Sequence, residues 1–165
     1  MSQQLRAAVV TVSDSVFQGR RKDSSGPAVA ELLQKNGWTV VHNQVVADDL
    51  PVIAATLREL SAQGLEGIFT TGGTGIALRD VTPEAVRKVM TREIPGLAEH
   101  MRHAGSQTTP TAILSRSVTG ICGGSLIVTL PGSPQGAVDS LKSILSILPH
   151  AVDLIAGRSA HQEQK

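Results

Sequence analysis

Short apolar runs alternate with amphipathic segments along the first third of the chain. Ala7 to Val12 is a continuous apolar run rich in Val, the pattern of a strand buried on both faces. Ser25-Gly26-Pro27 then opens a segment whose apolar positions keep helical spacing until Gly37. The β-branched stretch from Trp38 to Val46 predicts a second strand. Together these segments predict a β-α-β unit.

The same alternation continues through the middle of the chain. Asp48-Asp49 predicts the start of a second helix, which has one apolar stripe and ends at Gly64. Gly67 to Thr71 predicts a brief third strand. Thr82-Pro83-Glu84 predicts a further helix, capped by the Thr82 side chain, with Pro at its first position. Two helical stretches then follow, divided near Pro95-Gly96.

The last third combines a predicted hairpin with the clearest helical pattern. The region from Ile113 to Leu130 predicts a β-hairpin turned at Gly123-Gly124, whose second arm, Leu126 to Leu130, becomes the fourth core strand. Apolar residues recur at helical spacing from Ala137 to Leu148. Pro149 ends or kinks that helix, and a short helix continues to Gly157.

These elements predict an α/β fold, a doubly wound and mostly parallel sheet flanked by helices, with the hairpin as an excursion. We expect residues 1–165 to form a single domain, with a polar, frayed tail over 158–165. In such a sheet, ligands collect beyond the carboxyl ends of the strands. The expected ligand-binding loops therefore follow the four strands: Ser13-Asp14-Ser15, Ala47-Asp48-Asp49, Thr71 to Gly75, and Pro131 to Ser133.

Composition and charge narrow the classes of partner. A formal charge of +1, from 15 basic and 14 acidic residues, provides no field for a polyanion or a membrane surface. With one Trp, two Phe and no Tyr, the chain offers few platforms for base stacking, so we expect no nucleic-acid partner. The single cysteine, Cys122, and the N-terminus without a signal-like segment lead us to expect a cytoplasmic protein.

The two glycine-rich loops have the form of anion cradles. In the run from Thr70 to Gly75 the missing side chains would let a ligand approach the backbone amides. The run lacks the Lys of a P-loop and the G-x-G-x-x-G spacing, so it is either a phosphate cradle or only a tight turn. The loop from Leu130 to Ser133 also follows a strand and opens a helix, where the helix dipole favours an anion.

Aspartates follow three of the predicted strands. Asp80 could hold Mg²⁺ through its carboxylate while phosphates complete the shell, or it could pair with Arg79 in a structural role. Either Asp48 or Asp49 could cap the second helix and leave the other carboxylate for chemistry. Asp14 could simply close a turn.

Other polar groups give weaker signals. His100 and His103 have helical i, i+3 spacing, but no third metal ligand accompanies them, which favours a solvated face. The basic loop Arg20-Arg21-Lys22 is either a phosphate attractor or solvated surface. No Ser-His-Asp arrangement surrounds Ser115, so a hydrolase triad is not supported.

Taken together, several motifs resemble the MogA and MoaB family of molybdopterin adenylyltransferases, whose domain is also fused into gephyrin. The match runs from about Ala7 to Gly157, and its clearest departure is Ala47, where relatives commonly have proline. The motifs are Val12-Ser13-Asp14-Ser15, Asp23-x-Ser25-Gly26, Thr70 to Gly75, Arg79 to Ala85, Pro110-x-x-x-Leu114-Ser115-Arg116, Leu130 to Ser133, and Leu148-Pro149-His150-Ala151.

The resemblance implies an enzyme of molybdenum cofactor biosynthesis that transfers AMP from Mg-ATP to the phosphate of molybdopterin and releases pyrophosphate. It implies that Asp48 and Asp80 are the catalytic carboxylates and Mg²⁺ ligands, and that Ser115 and Arg116 bind the pterin. The implied nucleotide-binding residues are Ser13, Asp14, Gly72, Gly73, Thr74, Gly75, Pro131, Gly132 and Ser133.

Two rivals stand beside this interpretation. A nucleotide pyrophosphatase resembling CinA proteins would carry Gly-Gly-Leu-Gly-Pro and paired aspartates, whereas this chain has Gly-Gly-Thr-Gly and Arg79-Asp80. A non-catalytic molybdopterin-binding module is the second. The resemblance also implies a homotrimer or homohexamer and a transient contact with the molybdenum-insertion enzyme. Apolar residues of the predicted hairpin, Ile121, Cys122, Leu126 and Ile127, favour such an assembly if they are exposed.

Overall fold

The computed structural model describes residues 4–158. Of the tail predicted for 158–165, all but Arg158 lies outside the described residues. The strands are β1 Leu5–Val12, β2 Trp38–Val46, β3 Gly67–Thr71, β4 Arg92–Glu93, β5 Thr119–Cys122 and β6 Ser125–Leu130. The α-helices are α1 Asp14–Phe17, α2 Ser25–Lys35, α3 Leu50–Ala62, α4 Thr82–Val89, α5 Pro95–Ser106, α6 Pro134–Ile144 and α7 Leu148–Ile155, and Pro110–Leu114 forms a 3₁₀-helix.

The strands form one six-stranded sheet in the order β2-β1-β3-β6-β5-β4. The four strands β2, β1, β3 and β6 are parallel, and β5 and β4 add antiparallel pairs at one edge. This confirms the doubly wound, mostly parallel sheet flanked by helices. The second arm of the hairpin, β6, lies inside the sheet next to β3, which places its carboxyl end beside those of β1 and β3.

Helices cover both faces of the sheet. On one face Val9, Phe69 and Val128 pack with residues of α2, α5, α6 and α7, and Trp38 meets Phe69 edge to face at 5.5 Å between ring centroids. On the other face Ile68 and Ile127 pack with residues of α3 and α4. Burying one such side chain contributes about 1.5–3 kcal/mol, so the two layers hold the strand ends in fixed positions.

Three predicted boundaries are wrong for local reasons. The hairpin comprises only β5 and β6, because Pro110 begins a 3₁₀-helix and the Arg116 amide donates to the Thr74 carbonyl instead of to a strand partner. Thr82 is not a cap. It lies inside α4, and its hydroxyl donates to the Gly72 carbonyl at 2.9 Å.

The helix predicted to run from Ala137 to Leu148 is two helices, since α6 ends at Ile144 and Leu148 begins α7. Pro95 begins α5, and the short strand β4 precedes it. The short helix α1 was not predicted. Among the described residues no helix has the length and apolar character needed to span a membrane.

The apolar residues of the hairpin do not form the exposed surface that we expected. Cys122, Leu126 and Ile127 are buried within the chain itself, and Ile121 is half-buried. Because β6 is an interior strand, its side chains pack under helices of the same chain. The exposure argument for an oligomer is therefore wrong.

Candidate active site

The four predicted loops meet at the carboxyl edge of the parallel strands. The Ser13 amide donates to the Val46 carbonyl at 3.0 Å, which joins the loops after β1 and β2. The Gly72 amide donates to the Leu130 carbonyl at 3.1 Å, and the Thr71 hydroxyl donates to the Pro131 carbonyl at 2.6 Å. These hydrogen bonds join the loop after β1 to the end of β2, and the loop after β3 to the end of β6 and the loop that follows it.

A cavity of about 640 Å³, here called the carboxylate cavity, opens among these loops. Its acidic side chains are Asp14, Asp23, Asp48 and Asp80, and its glycines are Gly72, Gly73 and Gly132. Its basic side chains are Arg21, Lys22 and Arg79. A site that combines carboxylates, cations and exposed backbone fits a phosphate chain with a divalent cation.

Asp14 and Asp48 brace each other. The Asp14 amide donates to the Asp48 carboxylate, and the Asp48 amide donates to the Asp14 carboxylate, both at 2.9 Å. Asp49 caps α3 by accepting from the Val52 amide at 3.0 Å, so Asp48 is left for the cavity. The exchange with Asp14 sets the direction of the Asp48 side chain.

The two braced aspartates differ in charge environment. Burial raises the pKa of Asp48 above its ordinary value. The hydrogen bond from the Asp14 amide lowers this pKa in part, and the nearby negative charges of Asp14 and Asp80 raise it further. The Asp48 amide and then the Arg79 guanidinium lower the pKa of Asp14. Arg79 contacts Asp14 at 2.6 Å, so the alternative in which it pairs with Asp80 is wrong.

Asp80 is therefore free of a cationic side-chain partner in the described structure. Its carboxylate accepts from the Ala77 amide at 2.9 Å, and its amide donates to the Ala77 carbonyl at 3.0 Å. This small turn leaves Asp80 half-buried on the wall of the carboxylate cavity. The carboxylate keeps acceptor capacity for a ligand.

In the loop from Gly72 to Gly75, here called the glycine loop, both the backbone conformation and the close neighbours favour glycine over other residues. Gly72 and Gly73 have φ of 102° and 66°, a region that side chains disfavour. A Cβ on Gly73 would collide with the Thr82 hydroxyl and lie 3.3 Å from the Asp48 carboxylate. A Cβ on Gly75 would lie 2.7 Å from the Asp80 carboxylate. The loop is thus a tight turn that also lines a cavity.

A second cavity of about 420 Å³, the hydroxyl cavity, lies on the other side of this loop. Thr74 and Gly75 line it, whereas Gly72 and Gly73 line the carboxylate cavity. Gly132 and Ser133 line both cavities. Its hydroxyl groups come from Thr74, Thr108, Thr109, Thr111, Ser115, Ser117, Ser133 and Ser140. The two cavities therefore adjoin at the glycine loop and the start of α6.

Ser115 and Arg116 are neighbours with different surroundings. Ser115 lines the hydroxyl cavity, and its hydroxyl lies 2.9 Å from that of Ser117. Arg116 is absent from the lining. Its guanidinium donates to the Gly75 carbonyl at 2.7 Å and to the Asp80 carbonyl at 2.6 Å, and it pairs with Glu84. Arg116 thus ties the segment from the glycine loop to Asp80 onto α4.

The sequence did not point to several residues of the hydroxyl cavity. Arg102 reaches it from α5 and donates to the carbonyls of Ser115 and Ser117 at 3.4 and 3.0 Å. Gln135 and Asp139 reach it from α6. Their i, i+4 spacing just after the Pro131 to Ser133 loop is a signal that could have identified them, because it places both on one helix face.

The two histidines and the basic loop noted in the sequence lie at the protein surface. His100 and His103 are both exposed, as a solvated face requires. Arg20 and Arg21 are exposed, and Arg21 and Lys22 line the carboxylate cavity.

The carboxylates of the carboxylate cavity suit Mg²⁺ that is bound together with substrate phosphates. Within residues 4–158 no three His, Cys, Asp or Glu side chains form a ligand group of their own. Mg²⁺ bound by one or two carboxylates together with substrate phosphates needs no such group. Asp48 and Asp80 on one cavity wall provide those two carboxylates, so the residues fit the metal.

The chain is similar to known proteins over most of its length. Residues 8–150 match the family described as "Probable molybdopterin binding domain". The chain belongs to this family. The matched residues include both cavities and all four loops.

Individual relatives extend over most of the chain. A molybdopterin adenylyltransferase of Helicobacter pylori is 37% identical over 166 residues, covering 99% of this chain and 94% of that protein. The solved structure of the molybdopterin biosynthesis enzyme MoaB from Thermus thermophilus has a TM-score of 0.89 at 46% identity, covering 93% of this chain and 98% of that one. Gephyrin of Dictyostelium discoideum is 37% identical over 89% of this chain, which corresponds to 22% of gephyrin.

Proposed function

We propose that this protein is a molybdopterin adenylyltransferase of molybdenum cofactor biosynthesis. An oxygen of the molybdopterin phosphate forms a bond to the α-phosphorus of ATP, and the bond from that phosphorus to the bridging oxygen of pyrophosphate breaks. The observation that carries the proposal is the pair of cavities that adjoin at one glycine loop. Two substrates bound on either side of Thr74 and Gly132 would meet there.

The carboxylate cavity is assigned to the triphosphate. Asp48 and Asp80 would hold Mg²⁺, which when bound neutralises phosphate charge and orients the leaving group. Gly72, Gly73 and Gly132 offer close backbone approach, and Ser13 and Asp14 line the same wall. The basic groups Arg21, Lys22 and Arg79 add positive potential around the leaving pyrophosphate.

The hydroxyl cavity is assigned to the pterin. Its lining combines apolar side chains with hydroxyl groups, the mixture typical of a site for a planar heterocycle with polar edges. Ser115 is placed to donate to such an edge. Arg116 is assigned a positioning role, because its guanidinium is occupied by the Gly75 and Asp80 carbonyls. A direct contact between Arg116 and the pterin stays a prediction from the resemblance.

The reaction requires two anions to approach each other. The amino terminus of α6, reached through Pro131, Gly132 and Ser133, lies where the two cavities adjoin and favours negative charge. Thr74 and Gly75 come from the opposite wall. Alignment and neutralisation of charge would provide most of the rate acceleration, and no covalent enzyme intermediate is needed.

The decisive experiment is incubation of the protein with molybdopterin, ATP and Mg²⁺. We expect adenylylated molybdopterin and pyrophosphate in equal amounts. With α,β-methylene-ATP, which blocks the bond that must break, no product should form although the nucleotide binds. Binding of molybdopterin without any product from ATP would favour the non-catalytic module. Hydrolysis of a nucleotide without transfer to the pterin would favour the CinA-like pyrophosphatase.

We further propose a cytoplasmic homotrimer or homohexamer that contacts the molybdenum-insertion enzyme transiently. Support for association comes from the exposed apolar side chains of Ile76, Leu78, Ile113 and Leu114, of which Ile76 and Leu114 line the hydroxyl cavity. Light scattering after size-exclusion chromatography at micromolar concentration should give a mass of three or six chains. A persistent monomer mass would contradict the assembly and leave the chemistry untouched.

A further inference from the structure

Asp139 on α6 has no role in the chemistry described so far. Among the described residues it is the only carboxylate that lines the hydroxyl cavity, and Arg102 is the only cation there. The Arg102 guanidinium is directed to the carbonyls of Ser115 and Ser117. The cavity thus presents one anionic acceptor among hydroxyl groups and apolar side chains.

The Asp139 carboxylate is held on one side only. The Gln135 amide donates to its Oδ1 at 2.8 Å, one helical turn away. Within residues 4–158 no other donor to this carboxylate is found, so Oδ2 is available to a ligand. Gln135 and Asp139 are both exposed, so the hydrogen bond between them stabilises α6 only weakly.

We infer that Asp139 recognises the 2-amino-4-oxo-pyrimidine edge of the pterin and so determines the substrate specificity of the hydroxyl cavity. That edge presents two neighbouring N–H donors, from N3 and the 2-amino group. A carboxylate can accept both in parallel, which hydroxyl groups and backbone amides cannot do. This inference rests on the proposed function for the identity of the ligand as a pterin.

The position of Asp139 along α6 fits this orientation. Ser133, at the start of α6, lies where the two cavities adjoin and where the substrate phosphate would react. Asp139 lies six residues further along, about 9 Å at the rise of an α-helix. A substrate that extends along the helix would thus place its phosphate at Ser133 and its pyrimidine edge at Asp139.

The test compares the wild-type protein with Asp139→Asn, which keeps the size of the side chain but can accept only one of the two hydrogen bonds. In the adenylylation assay we expect the KM for molybdopterin to rise about tenfold to a hundredfold. The kcat and the KM for ATP should stay within about twofold. Glu31→Gln removes one exposed carboxylate from α2, outside both cavities, and should leave every constant unchanged.

A second measurement varies the ligand. 6-Hydroxymethylpterin has the 2-amino group, and 6-hydroxymethyllumazine has an oxygen in its place. Fluorescence titration or competition with molybdopterin should show that the wild type prefers the pterin about tenfold or more, and that Asp139→Asn loses the preference. Guanosine carries the same edge on a different ring system. If guanosine competes for the site and 6-hydroxymethylpterin does not, the assignment to pterin is overturned.

The two proposals fail in different ways. If the wild type makes no adenylylated product but prefers pterin through Asp139, the proposed function fails and this inference stands. If the wild type is active and Asp139→Asn keeps both its KM for molybdopterin and its preference for pterin, the inference fails alone. A circular-dichroism spectrum identical to that of the wild type should accompany the variant, because Asn preserves the contact with Gln135.

Discussion

The carboxylate cavity and the hydroxyl cavity share a wall but differ in the groups that line them. The first combines four aspartates with basic side chains, and the second has one aspartate among hydroxyl groups and apolar side chains. The first can neutralise and align a phosphate chain, whereas the second can enclose a flat, largely neutral ring. One short loop therefore separates the groups that bind the ring from the groups that neutralise the phosphate chain. Substitutions in one cavity should change one of these functions and leave the other largely intact.

The strongest test of this division is Asp80→Asn, which keeps the shape of the side chain and removes its charge. We expect turnover to fall about a hundredfold or more, because an electrostatic contact in the transition state is lost. Binding of molybdopterin should be largely retained. The matched control is Asp49→Asn, whose amide oxygen can still cap α3. Ordinary turnover and Mg²⁺ dependence in Asp80→Asn would remove the metal assignment.

The next test concerns the shared wall. Gly73→Val should abolish measurable nucleotide binding by calorimetry, because the residue has φ of 66° and its side chain would collide with Thr82 beside Asp48. Gly37→Val has the same backbone penalty, at φ of 85°, but points into open space outside both cavities. We expect the control to lose stability and keep its affinity for ATP. Normal ATP binding by a folded Gly73→Val would mean that the loop is only a turn.

A smaller effect is expected from Arg116→Lys. Lysine keeps the charge opposite Glu84 but cannot donate to the Gly75 and Asp80 carbonyls together. Turnover should fall about tenfold, because the loop that carries Asp80 loses its alignment. Arg87 lies on α4, as Glu84 does, and forms an exposed pair with Glu93 of β4, so Arg87→Lys should change turnover little. If Arg116→Lys raises only the KM for molybdopterin, Arg116 contacts the pterin directly.

The smallest effect concerns stability. The fold raises the pKa of Asp48 above its ordinary value of 3.8, so ionising this group costs more in the folded than in the unfolded state. That cost appears as the pH rises through the folded-state pKa. Asp48→Asn should therefore melt about 2 °C above the wild type or less at pH 7 while losing turnover. The difference should shrink near pH 4, and a lower melting temperature at pH 7 would contradict it.

Much of the fold could be predicted from local pattern. The first three strands, α2 and α3 follow from continuous apolar runs and helical spacing, and the strand ends located the four loops. The extent of the hairpin could not be predicted, because the path from Pro110 to Val118 is set by contacts with the glycine loop and with β6. The Arg116 amide donates to Thr74, and the Val118 amide donates to the Thr129 hydroxyl.

The site was predictable where a residue follows a strand. Asp14, Asp48 and Asp80 lie together as the topology requires. The sequence left open whether Asp48 or Asp49 caps α3, and the structure shows that Asp49 does. The partner of Arg79 was not predictable, since Asp14 is distant in sequence and no local pattern joins them. Asp139 was missed because its only sequence signal is a spacing shared by many solvated helices.

The position of β6 bears on how the chain acquires its structure during synthesis. The centre of the sheet, where Gly67 to Thr71 pair with Leu126 to Leu130, cannot form until the ribosome has released β6. Until then β3 presents an unpaired apolar edge, a template on which another nascent chain could add a strand. Dependence on chaperones should therefore be greatest over the interval between the emergence of β3 and that of β6, and truncations that end before β6 should aggregate.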